Sequence, residues 1–359
     1  MTARTFVMAG GGTGGHVIPA LAVAGELKRR GHKAIFIGTK KGLESKLVPE
    51  AGFRLDWIDI EGIKGLGLGA VWRVGIKMPQ ALQTTRKLLR REEVAAVFSM
   101  GGFVAGPTVL AAATLGVPVV VMEPNAMPGL TNRRMAGMAY RALVVFEEAG
   151  KFFRKGKWEV CGLPVREEFF HLAPKPFGNP FTVLVSGGSR GSRTLNNAAR
   201  VAWRLAQEAG MAVRWIHQCG VDMFAELAEE FRQGNYNGKV TAFVDNMPEA
   251  FAESDVIICR SGAGAVSELA AAGKASVLVP FPFAADQHQL RNAEAMQRAG
   301  ASHLVLDQEM DGARMLAEIK SLGADAGTLT AMGDAARRLA KPDALKRACD
   351  VLENAAANA

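Results

Sequence analysis

Short apolar, β-branched runs alternate along the chain with longer stretches whose apolar positions recur every three or four residues. That alternation predicts parallel sheets built from strand–helix–strand units. Phe6-Val7-Met8-Ala9 reads as a buried strand and Gly10 to Gly15 as a loop. Val17 to Arg30 follows as a helix with apolar residues at 17, 20, 21, 24 and 27. Gly31 stops that helix, and Ala34 to Gly38 begins the next strand.

The same plan returns later in the chain. Thr182 to Val185 reads as a strand, Ser186 to Gly191 as a glycine-rich loop, and Leu195 to Ala209 as a helix. A second echo pairs Val97 to Gly102 with Ile257 to Gly262. Each is followed by an Ala-rich helix, a glycine (Gly116, Gly273) and a new strand. The pattern predicts an α/β protein with two Rossmann-like, doubly wound parallel-sheet domains facing a cleft. The boundary is expected near Cys161 to Pro164, giving domains 1–162 and 163–342. Lys341-Pro342 interrupts the C-terminal helical region, and a helix within 343–359 is expected to pack back on the first domain.

Length agrees with this division, since 359 residues exceed one ordinary core. Cys161, Cys219, Cys259 and Cys349 lie far apart without a C-x-x-C pair, which suits unpaired thiols in a reducing compartment. The apolar run Thr5 to Ala9 is too short for a signal peptide, and no run approaches the ~18–20 apolar residues of a membrane span. A soluble, cytoplasmic chain is therefore expected. The net charge of +8 is uneven: residues 1–160 hold 23 Lys/Arg against 12 Asp/Glu, and the remainder is slightly acidic. A basic first half points to an anionic partner, either a phosphorylated substrate, nucleic acid or an anionic leaflet. No nucleic-acid motif or aromatic platform accompanies it, which argues against nucleic acid.

Three constellations carry candidate chemistry. Gly10-Gly11-Gly12-Thr13-Gly14-Gly15-His16 joins a strand to a helix, where backbone N–H groups and the helix dipole favour an anion. Taken alone it could bind a dinucleotide or a phosphate, or only make a tight turn. The second strand ends in Gly38-Thr39-Lys40 without a ribose-binding acid, and no G-K-[S/T] closes the loop. Ser186 to Ser192 opens the second domain in the same way. Arg260 to Glu268 forms the third, with Glu268 inside a helix start, where it would bind ribose hydroxyls or simply favour the helix dipole. Asp286-Gln287-His288-Gln289 and Asn292 could hydrogen-bond sugar hydroxyls.

Read in order, G-G-T-G-G-H, S-M-G-G-F-V-A-G-P from Ser99, M-E-P-N from Met122, L-P-V-R at 163–166, G-G-S-R-G at 187–191, C-R-S-G-A at 259–263 and D-Q-H-Q-L-R-N cover nearly the whole chain. Together they resemble the MurG family of bacterial peptidoglycan glycosyltransferases, which has the two-domain GT-B fold. The resemblance implies transfer of GlcNAc from UDP-GlcNAc to O4 of MurNAc in undecaprenyl-diphospho-MurNAc-pentapeptide, lipid I, with inversion. It places Thr13, Gly14 and Gly15 on the donor sugar and diphosphate, Asn125 on the GlcNAc, and Arg166 and Ser189 on the diphosphate. Val244 would hold uracil through its backbone. Ala263, Gly264, Ala265, Val266, Ser267 and Glu268 would wrap the nucleoside, and Gln289 would bind GlcNAc hydroxyls. Here Met122, Pro124, Leu163, Arg190 and Phe103 replace the family's usual His, Gln, Asn, Gln and Tyr. Those departures touch acceptor contacts and proton relays, not the donor positions.

An inverting transfer must stabilise a departing diphosphate and remove a proton from the acceptor hydroxyl. His16 is the first candidate base and Glu123 its rival. No D-x-D pair is present, so no metal and no cofactor are expected. Between Gly62 and Arg91, Leu66, Leu68, Trp72 and Ile76 mingle with Arg73 and Lys77. That mixture fits a lipid-facing patch on an anionic membrane surface or a core helix with a basic face, and the family resemblance puts the lipid contact here. The implied location is peripheral, on the cytoplasmic face of the inner membrane. The alternatives are a related GT-B enzyme with another lipid acceptor, or a UDP-GlcNAc epimerase.

Overall fold

The structure is a computed structural model describing residues 2–12, 14–40, 42–60, 68–173, 175–178, 180–188 and 190–358, with the backbone alone for 68–76. By its contacts the chain divides into two units, Met1–Val165 with Lys341–Ala359, and Arg166–Ala340.

The first unit carries seven parallel strands: β1 (Thr5–Gly10), β2 (Lys33–Gly38), β3 (Arg54–Trp57), β4 (Val94–Gly101), β5 (Val119–Glu123), β6 (Arg141–Val144) and β7 (Trp158–Val160). Their order is β3-β2-β1-β4-β5-β6-β7. A central parallel strand is covered on both faces, and β1 shows how its sequence achieves this. Phe6 and Met8 point into a core with Val17, Ala20 and Leu27, while Val7 and Ala9 point into another with Val109 and Ala112. The helix Ala344–Ala357 completes the first of these cores through Ala348, Cys349, Val351, Leu352 and Ala355. Arg30 pairs with Asp350 at 2.7 Å and Glu353 at 2.9 Å, and His32 Nε2 meets Glu353 at 3.0 Å.

The second unit repeats the plan with β8 (Phe181–Ser186), β9 (Val213–Gln218), β10 (Gly238–Thr241), β11 (Val256–Cys259), β12 (Ser276–Leu278) and β13 (Ser302–Leu304), ordered β10-β9-β8-β11-β12-β13. Trp203 on the helix Arg193–Glu208 and Trp215 on β9 fill the same core. All four cysteines are free and buried.

In each sheet the winding reverses once, between β1 and β4 and between β8 and β11. At such a reversal the helices leave on opposite faces, so a crevice opens beyond the strand ends. The glycine-rich sequences follow those strands: Gly10 to Gly15 after β1, Gly101-Gly102 after β4, Ser186 to Ser192 across the end of β8, and Ser261-Gly262 just after β11. Two helices start earlier than periodicity predicts. The first spans Gly14–Arg29 and includes the last loop glycines, and the helix after β8 starts at Arg193. Glycine carries no apolar signal, which hid the first start.

Candidate functional site

In the second unit the site rests on two backbone turns that pack directly together. Gly191 has φ +73° and Gly220 φ +80°, and a Cβ on Gly220 would come within 2.7 Å of Gly191 N. Ser192 caps the helix Arg193–Glu208 by accepting from Leu195 N. Its hydroxyl also meets Arg260 Nη2 at 2.7 Å. Arg260 Nη1 donates to the Val279 carbonyl at 3.1 Å and pairs with Asp307, which accepts in turn from Thr194 Oγ1 at 3.1 Å. One guanidinium thus ties together the segments following β8, β11, β12 and β13, using the several donors that only arginine holds in a fixed fork.

Gln218, buried at the end of β9, adds a second clip. Its Nε2 donates to the Gly188 carbonyl at 2.9 Å, and its Oε1 accepts from Val244 N at 3.2 Å. The Val244 amide that the resemblance places on uracil therefore has a partner within the protein.

The helix Ala263–Ala272 starts at Gly262 and presents Ala263, Gly264, Ala265, Val266, Ser267 and Glu268 over its first two turns. Asn292 Nδ2 donates to the Ser261 carbonyl at 3.1 Å, and Ser261 Oγ donates to the Gln289 carbonyl at 2.8 Å, fixing the neighbouring helix His288–Arg298. Gln289 Oε1 accepts from Phe281 N at 2.9 Å. Just ahead, Asp286 and Gln287 both adopt positive φ, 53° and 54°. Two consecutive non-glycine residues in that region store strain, a feature that concentrates at functional turns.

Burial pushes the Glu268 carboxyl up to about 7, with Arg166 pulling the other way. Arg166 itself is exposed and stacks over Phe169, 5.0 Å from the ring centroid. Ser267 Oγ is buried with no protein hydrogen-bond partner. A largely desolvated carboxyl group, with the hydroxyl of the preceding residue lacking a protein partner, suits a ligand rich in hydroxyls.

In the first unit, Gly14, Gly15 and His16 form the first turn of the helix Gly14–Arg29. His16 Nδ1 lies 3.3 Å from the Gly11 carbonyl, so it donates. Gly102, at φ +81°, closes over it, and a Cβ there would stand 3.5 Å from His16 Nδ1.

Glu123 ends β5 and is fully buried. Its Oε1 accepts from Asn125 N at 3.0 Å and Nδ2 at 3.2 Å, and its Oε2 from Gly129 N at 3.1 Å and Asn132 Nδ2 at 2.8 Å. Burial raises its carboxyl above the usual range against those bonds. This carboxylate fixes Asn125 and the turn after β5.

Glu44 was not singled out by sequence, yet it is completely buried beneath the first glycine loop. Its Oε2 accepts from Gly12 N at 2.8 Å, and its Oε1 from Thr39 N and Oγ1, each at 3.0 Å. The available signal was a lone Glu shortly after a strand, set among Gly38, Gly42 and the loop glycines.

Thr13, Ser189 and Leu66 lie outside the described residues, as do the side chains of Leu68, Trp72, Arg73 and Ile76. Those last four positions fall within the helix Leu68–Arg91, and Lys77 on the same helix pairs with Asp59 at 2.9 Å. Among the described residues no group of three His, Cys, Asp or Glu is placed to hold a metal, and no helix is long and apolar enough to cross a membrane.

The raised Glu268 value carries a sign for stability. The unfolded chain ionises this group from about 4.5 and the folded chain from about 7, so folding loses stability as pH rises between them. Glu268→Gln should therefore raise the melting temperature relative to wild type by a few degrees more at pH 8 than at pH 4.5, read by calorimetry. An equal difference at both pH values would show that the carboxyl titrates normally.

The profiles described as glycosyltransferase family 28 N-terminal domain and C-terminal domain match residues 6–144 and 182–348. A Solibacter usitatus protein named UDP-N-acetylglucosamine--N-acetylmuramyl-(pentapeptide) pyrophosphoryl-undecaprenol N-acetylglucosamine transferase is 53% identical over 355 residues, covering 99% of this chain and 97% of that protein. The crystal structure of Acinetobacter baumannii MurG superposes with a TM-score of 0.81 at 31% identity, covering 98% of this chain and 100% of that one. A Neisseria meningitidis UDP-GlcNAc 2-epimerase bound to UDP-GlcNAc superposes at 0.67 with 13% identity, covering 98% and 100%, a likeness of fold alone.

Proposed function

The chain belongs to glycosyltransferase family 28, and on that footing we propose that it transfers GlcNAc from UDP-GlcNAc to O4 of MurNAc in undecaprenyl-diphospho-MurNAc-pentapeptide, the lipid I to lipid II step of peptidoglycan synthesis. The observation that carries this reading is the 53% identity to a transferase of that name across nearly the full length of both chains. The unsatisfied Ser267 hydroxyl and the raised Glu268 carboxyl support a nucleoside site on the helix Ala263–Ala272.

In this reaction the acceptor O4 attacks the anomeric carbon as the bond to the diphosphate breaks. The UDP leaves with the electron pair, and the O4 proton passes to a base. Helix N-termini at Gly262 and Ser192, with Arg166 and Ser189, are assigned to the diphosphate. Glu268 accepts from the ribose hydroxyls, Val244 holds uracil through its backbone, and Gln289 with Asn125 reads the GlcNAc. Thr13, Gly14 and Gly15 line the sugar and diphosphate.

His16 is assigned as the base. Its Nδ1–H donates to the Gly11 carbonyl, and Nε2 is assigned to take the O4 proton. Glu123 is assigned to positioning, because its oxygens already accept from four N–H groups and its burial opposes a change of charge state on each turnover.

The reading is tested by UDP release from UDP-GlcNAc with and without a short-chain polyprenyl-diphospho-MurNAc-pentapeptide. Release only with acceptor is expected, and His16→Ala should cut it ~100-fold or more while leaving UDP-GlcNAc binding largely intact. Donor binding without acceptor-dependent release would move another lipid acceptor, or epimerisation, to the front. Wild-type turnover in the variant would remove His16 as base.

The enzyme is assigned a peripheral location on the cytoplasmic membrane face, where its lipid acceptor resides. Leu66, Leu68, Trp72, Arg73, Ile76 and Lys77 are assigned to the contact, since apolar and cationic residues together suit an anionic interface. Trp72→Glu should weaken sedimentation with anionic liposomes about tenfold. An unchanged partition would assign this helix to the core instead.

A further inference from the structure

We propose that Glu44 is a positioning residue for His16, acting through the single peptide bond between Gly11 and Gly12. The Gly12 N–H of that peptide donates to Glu44 Oε2 at 2.8 Å, and the Gly11 carbonyl of the same peptide accepts from His16 Nδ1–H at 3.3 Å. A trans peptide directs its N–H and C=O in opposite senses, so the carboxylate, the amide and the imidazole form one chain of hydrogen bonds. Each link polarises the next. The arrangement resembles a carboxylate–histidine pair with a peptide interposed.

Three observations converge on it. Glu44 is completely buried, and no cation among the described residues pairs with it. Its second oxygen is held by Thr39 N and Thr39 Oγ1, so the carboxylate has one orientation. The glycines around it make room for it, since a Cβ on Gly11 would lie 2.6 Å from Glu44 Oε1 and one on Gly38 2.5 Å from Glu44 Cγ. The second glycine of the loop therefore serves an internal carboxylate. The Gly12 amide, already committed, is not one that grips a phosphate.

The consequence lies in the chemistry of the ring. A carbonyl can only accept, so the Gly11–Gly12 peptide keeps a proton on Nδ1 of His16. When the acceptor O4 bonds to the anomeric carbon and the diphosphate bond breaks, the O4 proton moves to Nε2. The imidazolium then donates more strongly from Nδ1 into a peptide whose dipole Glu44 aligns.

The inference rests on His16 as the base of a transferase, and its test separates the two. Glu44→Gln removes the charge at nearly constant shape and should lower kcat about tenfold or more, with UDP-GlcNAc affinity within twofold of wild type. In a His16→Ala background the same substitution should cost nothing further, because the residue through which it acts is gone. An undiminished kcat in Glu44→Gln, or the same fold-loss with and without His16, would overturn the proposal.

Should Glu44→Gln not fold, ¹⁵N-histidine NMR of the wild-type chain decides. The signal lost in His16→Ala should report a neutral ring protonated on Nδ1, and protonation on Nε2 would overturn the proposal. A wild-type chain without acceptor-dependent UDP release would sink the transferase reading, while the tautomer would still judge the relay.

Discussion

Everything in this protein that bears on chemistry depends on one topological constraint, the reversal of winding at the centre of each parallel sheet. Parallel strands require crossovers, right-handed crossovers put successive helices on one face, and growth of the sheet in both directions forces a change of face. That change leaves the ends of β1 and β4, and of β8 and β11, uncovered by a crossing chain. Backbone must turn sharply there, which is where Gly101, Gly102, Gly188 and Gly191 adopt positive φ. The glycine motifs are thus first a requirement of the fold, and the anion-binding amides and helix N-termini follow from it.

The two units use this shared geometry differently. In the second, the turns are tied from outside by Arg260 and Gln218, whose hydrogen bonds run to carbonyls, a hydroxyl, an acid and an amide in four separate segments. The effect is a preorganised rim next to the Ala263–Ala272 helix, with the Ser267 hydroxyl lacking a protein partner and the Glu268 carboxyl raised by burial. In the first unit the turns are filled from inside by carboxylates, Glu44 under the first loop and Glu123 under the turn after β5. With loop amides such as Gly12 N, Asn125 N and Gly129 N already donating to these oxygens, the turns suit positioning a base and a sugar better than gripping a diphosphate. Family membership agrees with such a division, since a glycosyltransferase must hold an anionic leaving group and deprotonate a hydroxyl.

Much of this was legible in the sequence. The apolar runs gave the central strands, and the paired glycine loops with their order along the chain gave two doubly wound sheets. The motifs carried the family. What remained hidden depends on long-range contacts that no local pattern encodes. Arg260 reaches Ser192 across 68 positions, and Arg30 meets Asp350 across 320. Glu44 carries no local signal of its role, because its burial depends on Gly11, Gly38 and Gly42 coming together in three dimensions. The surroundings of Glu123 were hidden in a similar way: its four N–H donors come from Asn125, Gly129 and Asn132, and only the folded turn aims them at one carboxyl group.

The central claim is an inverting transfer of GlcNAc to a lipid-linked MurNAc, and the product's linkage tests it most directly. The chain would be incubated with UDP-GlcNAc and a soluble short-chain lipid I, and the released disaccharide characterised by proton NMR. A GlcNAc anomeric coupling of the β form with O4 of MurNAc substituted is the result the account predicts. An α-linked product, substitution at another hydroxyl, or free N-acetylmannosamine in place of a disaccharide would contradict it.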